Sequence, residues 1–263
     1  MSEPDRPAVF VHLLPGLIPP GDLKGSVAVV VDVLRATTVM VQALASGCTA
    51  VIPCSQIEEA RRIAADLPAG SALLAGERHG LPIEGFDLGN SPGEFTPEAC
   101  RGKTLVMTTT NGTRAILASL DAERVLVAAF SNFGMTVQWL HAEDRDIHIV
   151  CAGTEGEISF EDALLAGGIA RNLRDLGGTL RNDEAEIVSG LWARVEDVIW
   201  TQSGDRDLEE NPLVRYLVRG RGGRRVQELA LMTDIEASAR MNRPEQGLIA
   251  ELRRDPLRVV VAR

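Results

Sequence analysis

No two cysteines in this chain stand at the spacing of a zinc ribbon or a redox pair. Cys48, Cys54, Cys100 and Cys151 are scattered, so neither a metal knuckle nor a disulfide framework is indicated; small buried thiols in a reducing compartment are expected. Also missing is any apolar run near the roughly 20 residues that span a bilayer. The first residues, MSEPDRPAVFVHLLPG, lack the basic start and long apolar stretch of a secretory leader, which predicts a cytoplasmic protein with no membrane association. Positive charge is short as well: 27 Lys and Arg face 37 Asp and Glu, a net charge of −10. That balance argues against a nucleic-acid partner, whereas an acidic cleft suits a divalent cation. HExxH, GxSxG, Walker A and GxGxxG patterns are all absent, and Gly102-Lys103-Thr104 lacks the upstream glycine a phosphate loop needs. The histidines at 12, 79, 141 and 148 are dispersed, only His79 falls among the site candidates below, and no Ser–His–Asp arrangement is evident.

What is present is an alternation. Short apolar runs at 8–13, 27–31, 49–53, 72–75, 105–107, 124–128 and 147–150 read as strands. Helical spacing follows at 34–45, 57–67 (with Ser55 as its cap), 133–141 and 161–176. The run at 27–31 is continuously β-branched or small, as in a strand covered on both faces. Strand–helix alternation predicts an α/β fold, a three-layer α/β/α arrangement with a mostly parallel or mixed sheet. The chain reads as a single domain over 1–263. Residues 1–180 form its motif-bearing core, and 181–263 a mainly helical part with helices at 183–198, 212–218 and 225–230, a break at 220–223 and a final strand at 257–261. Residues 81–97 form the longest stretch without periodicity, a loop long enough to suggest function.

The segment LVMTTTNGTRA at 105–115 organises the site. It reads as strand, polar turn and helix start, and a helix start offers unpaired N–H groups to an anion. Thr109, Thr110 and Thr113 could add hydroxyl donors, and Gly112 would admit an oxyanion to the backbone; plain capping by Asn111 or threonine is the competing account. In a parallel sheet, ligands bind beyond the carboxyl ends of the strands. Polar residues recur there: Asp32, Arg35, Thr37 and Thr38 after one strand, Glu77 and Arg78 after another, then Asn90 and Ser91, Asn132, Gly153, Glu161 and Asp162. Asp32, Glu77, Glu161 and Asp162 are candidate ligands for Mg²⁺, which takes carboxylates together with phosphate oxygens and water. Asp32 could instead cap the following helix, and Glu161-Asp162 could simply complement a helix dipole.

Taken together, VVVDVLRATTV at 29–39, AGERHGLPIEGFDLGNSP at 75–92, TTTNGTRA at 108–115, SNF at 131–133 and CAGTEGEISFEDALLAG at 151–167 resemble the 2-phosphosulfolactate phosphatase (ComB-like) family. The resemblance implies a three-layer α/β fold and Mg²⁺-dependent hydrolysis of 2-phospho-3-sulfolactate to 3-sulfolactate and phosphate, a step toward coenzyme M. It casts Asp32, Arg35, Glu77 and Asp162 as catalytic. A substrate with about four negative charges near neutral pH would be met by Arg35, Arg78, Arg114, helix N-termini and the metal. The sequence Asp32-Val33-Leu34 carries no DxD acid pair, so the aspartyl-phosphate route does not transfer. A non-catalytic sensor of a phosphorylated metabolite, or an isomerase or lyase acting on a phosphorylated acid, fits the same anion sites. A homo-oligomer is compatible with the sequence but not indicated by it.

Overall fold

Val27–Val31 shows how the chain is layered. In the computed structural model, which describes residues 7–202 and 211–262, Val27, Val29 and Val31 enter one apolar core while Ala28 and Val30 enter another. The period of two along a strand imposes this division, and both faces are covered as the β-branched run predicts.

In chain order the elements are β1 (Ala8–His12), β2 (Val27–Val31), α1 (Ala36–Ala45), β3 (Ala50–Cys54), α2 (Ile57–Asp66), β4 (Ala72–Arg78), β5 (Leu81–Pro82), α3 (Pro97–Cys100), β6 (Thr104–Thr108), α4 (Gly112–Ala118) and β7 (Arg124–Ala128). Then follow α5 (Phe133–His141), β8 (Ile147–Cys151), α6 (Phe160–Asp175), β9 (Thr179–Leu180), α7 (Asp183–Ala193), α8 (Glu196–Gln202), α9 (Pro212–Leu217), α10 (Arg221–Glu228), α11 (Met232–Ser238), β10 (Ala250–Arg254) and β11 (Leu257–Val261). They build a mixed sheet in the order β5-β4-β6-β3-β11-β10-β7-β2-β8-β1-β9. Two parallel sets, β4-β6-β3 and β7-β2-β8-β1-β9, are joined by the antiparallel β10–β11 hairpin, which pairs outward with β3 and β7. The C-terminal strand was expected; its partner β10, at the centre of the sheet, was not. The sequence there, AELRR, carries three charges, yet Ala250 and Leu252 are buried and Glu251 is neutralised by Arg124 at 2.6 Å.

Helices α1 and α4 pack with β2, β3, β6, β7 and the hairpin in one core, and α5, α6 and α7 cover the other face. In a flat sheet β2 and β6, five positions apart, would stand about 24 Å from each other. Sheet twist and the turn after β6 bring their carboxyl ends to one place. Among the described residues no helix is long and apolar enough to cross a membrane, and all four cysteines are free and buried.

Several local expectations change. The helix expected from 34 begins at Ala36, and the one expected over 183–198 is two, α7 and α8. Ser55 does not cap α2: Gln56 holds that position, and Ser55 donates its amide and hydroxyl to Glu59. The stretch 81–97 contains β5, a 3₁₀ turn at Pro92–Glu94 and the start of α3. The break expected at 220–223 is the first turn of α10, with Gly220 as its N-cap. Glycine is required there by packing: a Cβ on Gly220 or Gly222 would collide with the Glu161 carboxylate, and one on Gly223 with the Leu217 carbonyl.

Away from the site, His12 Nε2 and His148 Nδ1 share a buried hydrogen bond of 2.9 Å across β1 and β8. One ring must donate and the other accept, so the accepting ring must be neutral. Burial, and then His12, push the His148 ring down to about 4; burial also lowers His12, against the opposing charges of Glu184 and Asp22. The unfolded chain therefore binds protons below about pH 6.5 that the folded chain refuses. This contribution to stability is fully present above that pH and is lost as pH falls toward 4, on the order of 3 kcal/mol for one such site. We expect the melting temperature to fall by several degrees more between pH 7 and pH 5 in the wild type than in His148→Gln. Equal pH slopes in the two proteins would show that the pair does not govern acid sensitivity.

Candidate active site

Asp32 leaves the end of β2, and its environment is set by the turn into α1. Thr37 closes that turn, its hydroxyl accepting from the Asp32 amide at 3.0 Å and donating to the Asp32 carbonyl at 2.9 Å. The Thr38 hydroxyl donates to the Val33 carbonyl at 2.8 Å. Both threonines, predicted to bind phosphate, thus hold backbone instead. Asp32 Oδ1 accepts from the Ala36 amide at 3.3 Å, and the carboxylate is 5 % exposed. Burial pushes its pKa up to about 7; the Ala36 amide opposes this, the charges of Glu77 and Glu161 add to it, and Arg35 opposes it.

Arg35 is buried to the same degree. Its Nη1 donates to Asp234 Oδ2 at 2.5 Å and Ser91 Oγ at 3.3 Å, and its Nη2 to the Gly80 carbonyl at 3.1 Å. Ser91 Oγ also donates to Asp234 at 2.8 Å. A guanidinium has five N–H donors. These contacts leave the Nε–H and one Nη2–H uncommitted, a pair suited to two oxygens of one anion.

The turn after β6 corrects an expectation. In the turn expected to offer unpaired N–H groups, the Thr110 amide is already bonded to Glu77 Oε1 at 2.8 Å, and Glu77 Oε2 accepts from the Gly80 amide at 2.7 Å. Thr109 and Thr113 exchange amide and hydroxyl contacts of 3.2–3.4 Å with each other. A carboxylate of the protein itself therefore occupies the turn before α4. Gly112 is needed for close approach, though to Asp32 rather than to a ligand: a Cβ there would stand 2.5 Å from Ala36 Cβ and 2.8 Å from Asp32 Oδ2.

Asp162 has a similar bracketing part, accepting from the Val33 amide at 2.8 Å and the Gly153 amide at 3.1 Å. Burial raises its pKa well above the usual range, with Asp32 and Glu161 adding to the shift. Glu161 differs. It is 1 % exposed, and neither carboxylate oxygen has a hydrogen-bond partner of good geometry. Burial raises its pKa, while the Ser159 hydroxyl, its own amide and Arg224 favour the ion. Among the described residues no three His, Cys, Asp or Glu side chains converge so as to hold a metal ion. The four-carboxylate set thus does not assemble, because Glu77 and Asp162 commit both oxygens to backbone amides. Asp32 and the orphaned Glu161 remain as hard oxygen donors, and Mg²⁺ needs only one or two carboxylates beside water and phosphate oxygens. The donor set fits that ion.

Beside these groups lies a cavity of about 330 Å³, which Glu161 and Asp162 do not line. Asp32, Arg35, Glu77, Asn90, Thr109, Thr110 and Asn111 line it, joined by His79 and Gly80. Asn90 Oδ1 and Thr110 Oγ1 are buried in its wall without partners. The opposite wall is α10, with Arg221, Gly222, Arg224 and Arg225. The sequence predicts a short helix at 225–230 but marks neither it nor Asp234 for the site; the available signal is the arginine-rich run RGRGGRR at 219–225.

A family model described as 2-phosphosulpholactate phosphatase matches residues 12–246. The chain belongs to this family. Among similar proteins, one from Caldanaerobacter subterraneus subsp. tengcongensis, named "Probable 2-phosphosulfolactate phosphatase", is 39% identical over 215 residues, or 82% of this chain and 83% of that one. A protein of the same name from Synechococcus sp. is 44% identical over 177 residues, covering 66% and 73%. One from Clostridium acetobutylicum is 37% identical over 215 residues, covering 81% and 85%.

In this 2-phosphosulpholactate phosphatase family member, some expected site residues do not line the cavity. The Arg78 guanidinium is held by the Glu77 and Ser55 carbonyls and the Thr108 hydroxyl, and Arg114 is exposed on α4. Asn132 serves the fold: its Oδ1 accepts from the Ala129 amide at 2.8 Å, and its Nδ2 donates to the Val127 and Leu248 carbonyls at 3.2 Å. Gly153, at φ +70°, lets the loop after β8 pass Glu157 and reach Asp162. Ser91 touches Arg35 and Asp234 but does not line the cavity.

Proposed function

We propose that this protein hydrolyses 2-phospho-3-sulfolactate to 3-sulfolactate and phosphate, with Mg²⁺ held by Asp32 and Glu161. The observation that carries the reading is the juxtaposition, in one cavity of a chain of this family, of the buried Asp32 carboxylate and a guanidinium with donors in reserve. The names of the related proteins support the substrate. When bound, Mg²⁺ would supply Lewis-acid stabilisation of the phosphoryl oxygens.

The chain's own groups do the rest. Arg35 grips two phosphoryl oxygens through its free edge, and the Thr110 hydroxyl, without a partner otherwise, adds a donor to the seat. Asp32 accepts a proton from the attacking water as the hydroxide oxygen bonds to phosphorus. The bond from phosphorus to the C2 oxygen breaks, and Asp32 returns the proton to the departing alkoxide. Phosphoryl transfer depends chiefly on such positioning and charge stabilisation.

Phosphate release from 2-phosphosulfolactate tests the reading. EDTA should abolish it by at least ~10²-fold and added Mg²⁺ restore it. Full turnover in metal-free protein would remove the ion from the mechanism, and saturable binding with no phosphate release would make the protein a sensor.

A further inference from the structure

Four arginines line the cavity, and they are not equivalent. Arg35 is paired with Asp234, Arg221 with Glu155 and Glu157, and Arg225 with Glu228. Among the described residues Arg224 has no carboxylate within ion-pair distance; its side chain's one hydrogen bond runs from Nη1 to the Arg219 carbonyl, just before its own helix. The flanking arginines fix where it stands. Arg221 pins the N-terminal end of α10 to the loop after β8, and Arg225 Nη2 pins the next turn to the His79 carbonyl at 3.2 Å. Gly220 and Gly222 press the same turn onto Glu161. Arg224 lies between these anchors, an exposed guanidinium at the cavity with four of its five donors uncommitted.

We propose that Arg224 is the specificity-determining residue that reads the sulfonate of the substrate, an inference that rests on the phosphatase reading above. With the phosphate at Arg35 and Asp32, the molecule's two other acid groups diverge from C2. The carboxylate carbon is bonded directly to C2, whereas the sulfonate sulfur stands one methylene farther out. The group with the longer reach is the one able to meet a helix forming the far wall. A sulfonate stays ionised at every working pH and presents three oxygens, which a planar guanidinium fork engages two at a time; an ammonium meets it only as a point charge.

Steady-state phosphate release by wild type, Arg224→Gln and Arg224→Lys tests this on three phosphoesters: 2-phosphosulfolactate, 2-phospholactate, which lacks the sulfonate, and 2-sulfoethyl phosphate, which lacks the carboxylate. In Arg224→Gln, kcat/KM should fall by about 10²-fold on both sulfonates, mainly through KM, as expected for loss of a charge-assisted contact. On 2-phospholactate the variant should match wild type within about threefold, and Arg224→Lys should recover only part of the loss on the sulfonates. Equal losses on all three substrates, or no loss on any, would overturn the proposal; so would losses on 2-phosphosulfolactate and 2-phospholactate that spare 2-sulfoethyl phosphate, which would transfer Arg224 to the carboxylate. Calorimetry with the product 3-sulfolactate provides a readout independent of turnover: binding should weaken by a similar factor in Arg224→Gln and not in the exposed control Arg114→Gln. If wild type releases no phosphate from any ester, the phosphatase reading fails, and calorimetry still decides whether Arg224 recognises a sulfonate. Unchanged 3-sulfolactate affinity in Arg224→Gln would overturn the proposal.

Discussion

Asp32→Asn is expected to lower turnover on 2-phosphosulfolactate by ~10²-fold or more while leaving the melting temperature unchanged or higher. The two effects separate because the two parts of the Asp32 environment respond differently to losing the charge. Asn can still accept from the Ala36 amide through Oδ1, and Asn is about as good as Asp at a helix start. The contacts made by the Asp32 backbone with Thr37 are untouched. The negative charge itself is a burden on the fold. Burial first, then Glu77 and Glu161, raise the Asp32 pKa to about 7. With a folded pKa above the unfolded value, the stability that the protonated group confers is present below pH 3.8 and lost as pH rises through about 7. At pH 8 the wild type carries this cost and Asn does not, so the variant should be at least as stable. It loses, however, the carboxylate proposed to take the proton from water, and one of the two carboxylates available to Mg²⁺. Melting curves at pH 8, Mg²⁺ titration and phosphate release decide it. Retained turnover with a lowered melting temperature would make Asp32 a helix cap and nothing more.

The parts of this architecture that could be read in the sequence are those governed by neighbours in the chain. Val27–Val31 announces a strand covered on both faces because the residues themselves are apolar on both. The polar residues at or just beyond strand ends, at 32, 77 and 109–111, reach the cavity because a strand end fixes their direction. Misreadings arise where distant partners decide. The Thr110 amide looked free until Glu77, thirty-three residues earlier, took it. Asn132 stands beyond a strand end like the others, yet the carbonyls of Val127 and Leu248 claim its side chain. The glycines at 220, 222 and 223 read locally as a helix breaker, since glycine costs about 1 kcal/mol in a helix; their purpose lies in the Glu161 carboxylate and the Leu217 carbonyl pressed against them. Asp234 and β10 belong to the same class, since neither has a local pattern apart from the tertiary partner that gives it meaning.

Arg35→Lys should reduce kcat/KM by about 10³-fold, far beyond what retention of positive charge suggests. Lysine is the informative replacement because removing the charge altogether would leave Asp234, 3 % exposed, as an uncompensated buried carboxylate. That defect alone costs about 3–5 kcal/mol and would confuse misfolding with lost chemistry. An ammonium can keep the Asp234 contact and reach one of Ser91 Oγ or the Gly80 carbonyl, with its three donors radiating from one atom. It cannot do this and also present two parallel N–H groups to a phosphoryl dianion. The loss should therefore fall on the transition state as well as on binding, lowering kcat and raising KM together, while the fold weakens by no more than about 2 kcal/mol. Asp234→Asn supplies the contrast. The guanidinium and its free edge survive, but the 2.5 Å ion pair that orients it does not, so the decline should be about 10-fold, carried mainly by KM. Kinetics measured well below both melting temperatures distinguish the alternatives. Wild-type kinetics in Arg35→Lys, with stability lowered, would reduce Arg35 to a clamp between α1, the turn after β4 and α11, and the phosphate would have to be held by other groups in the cavity.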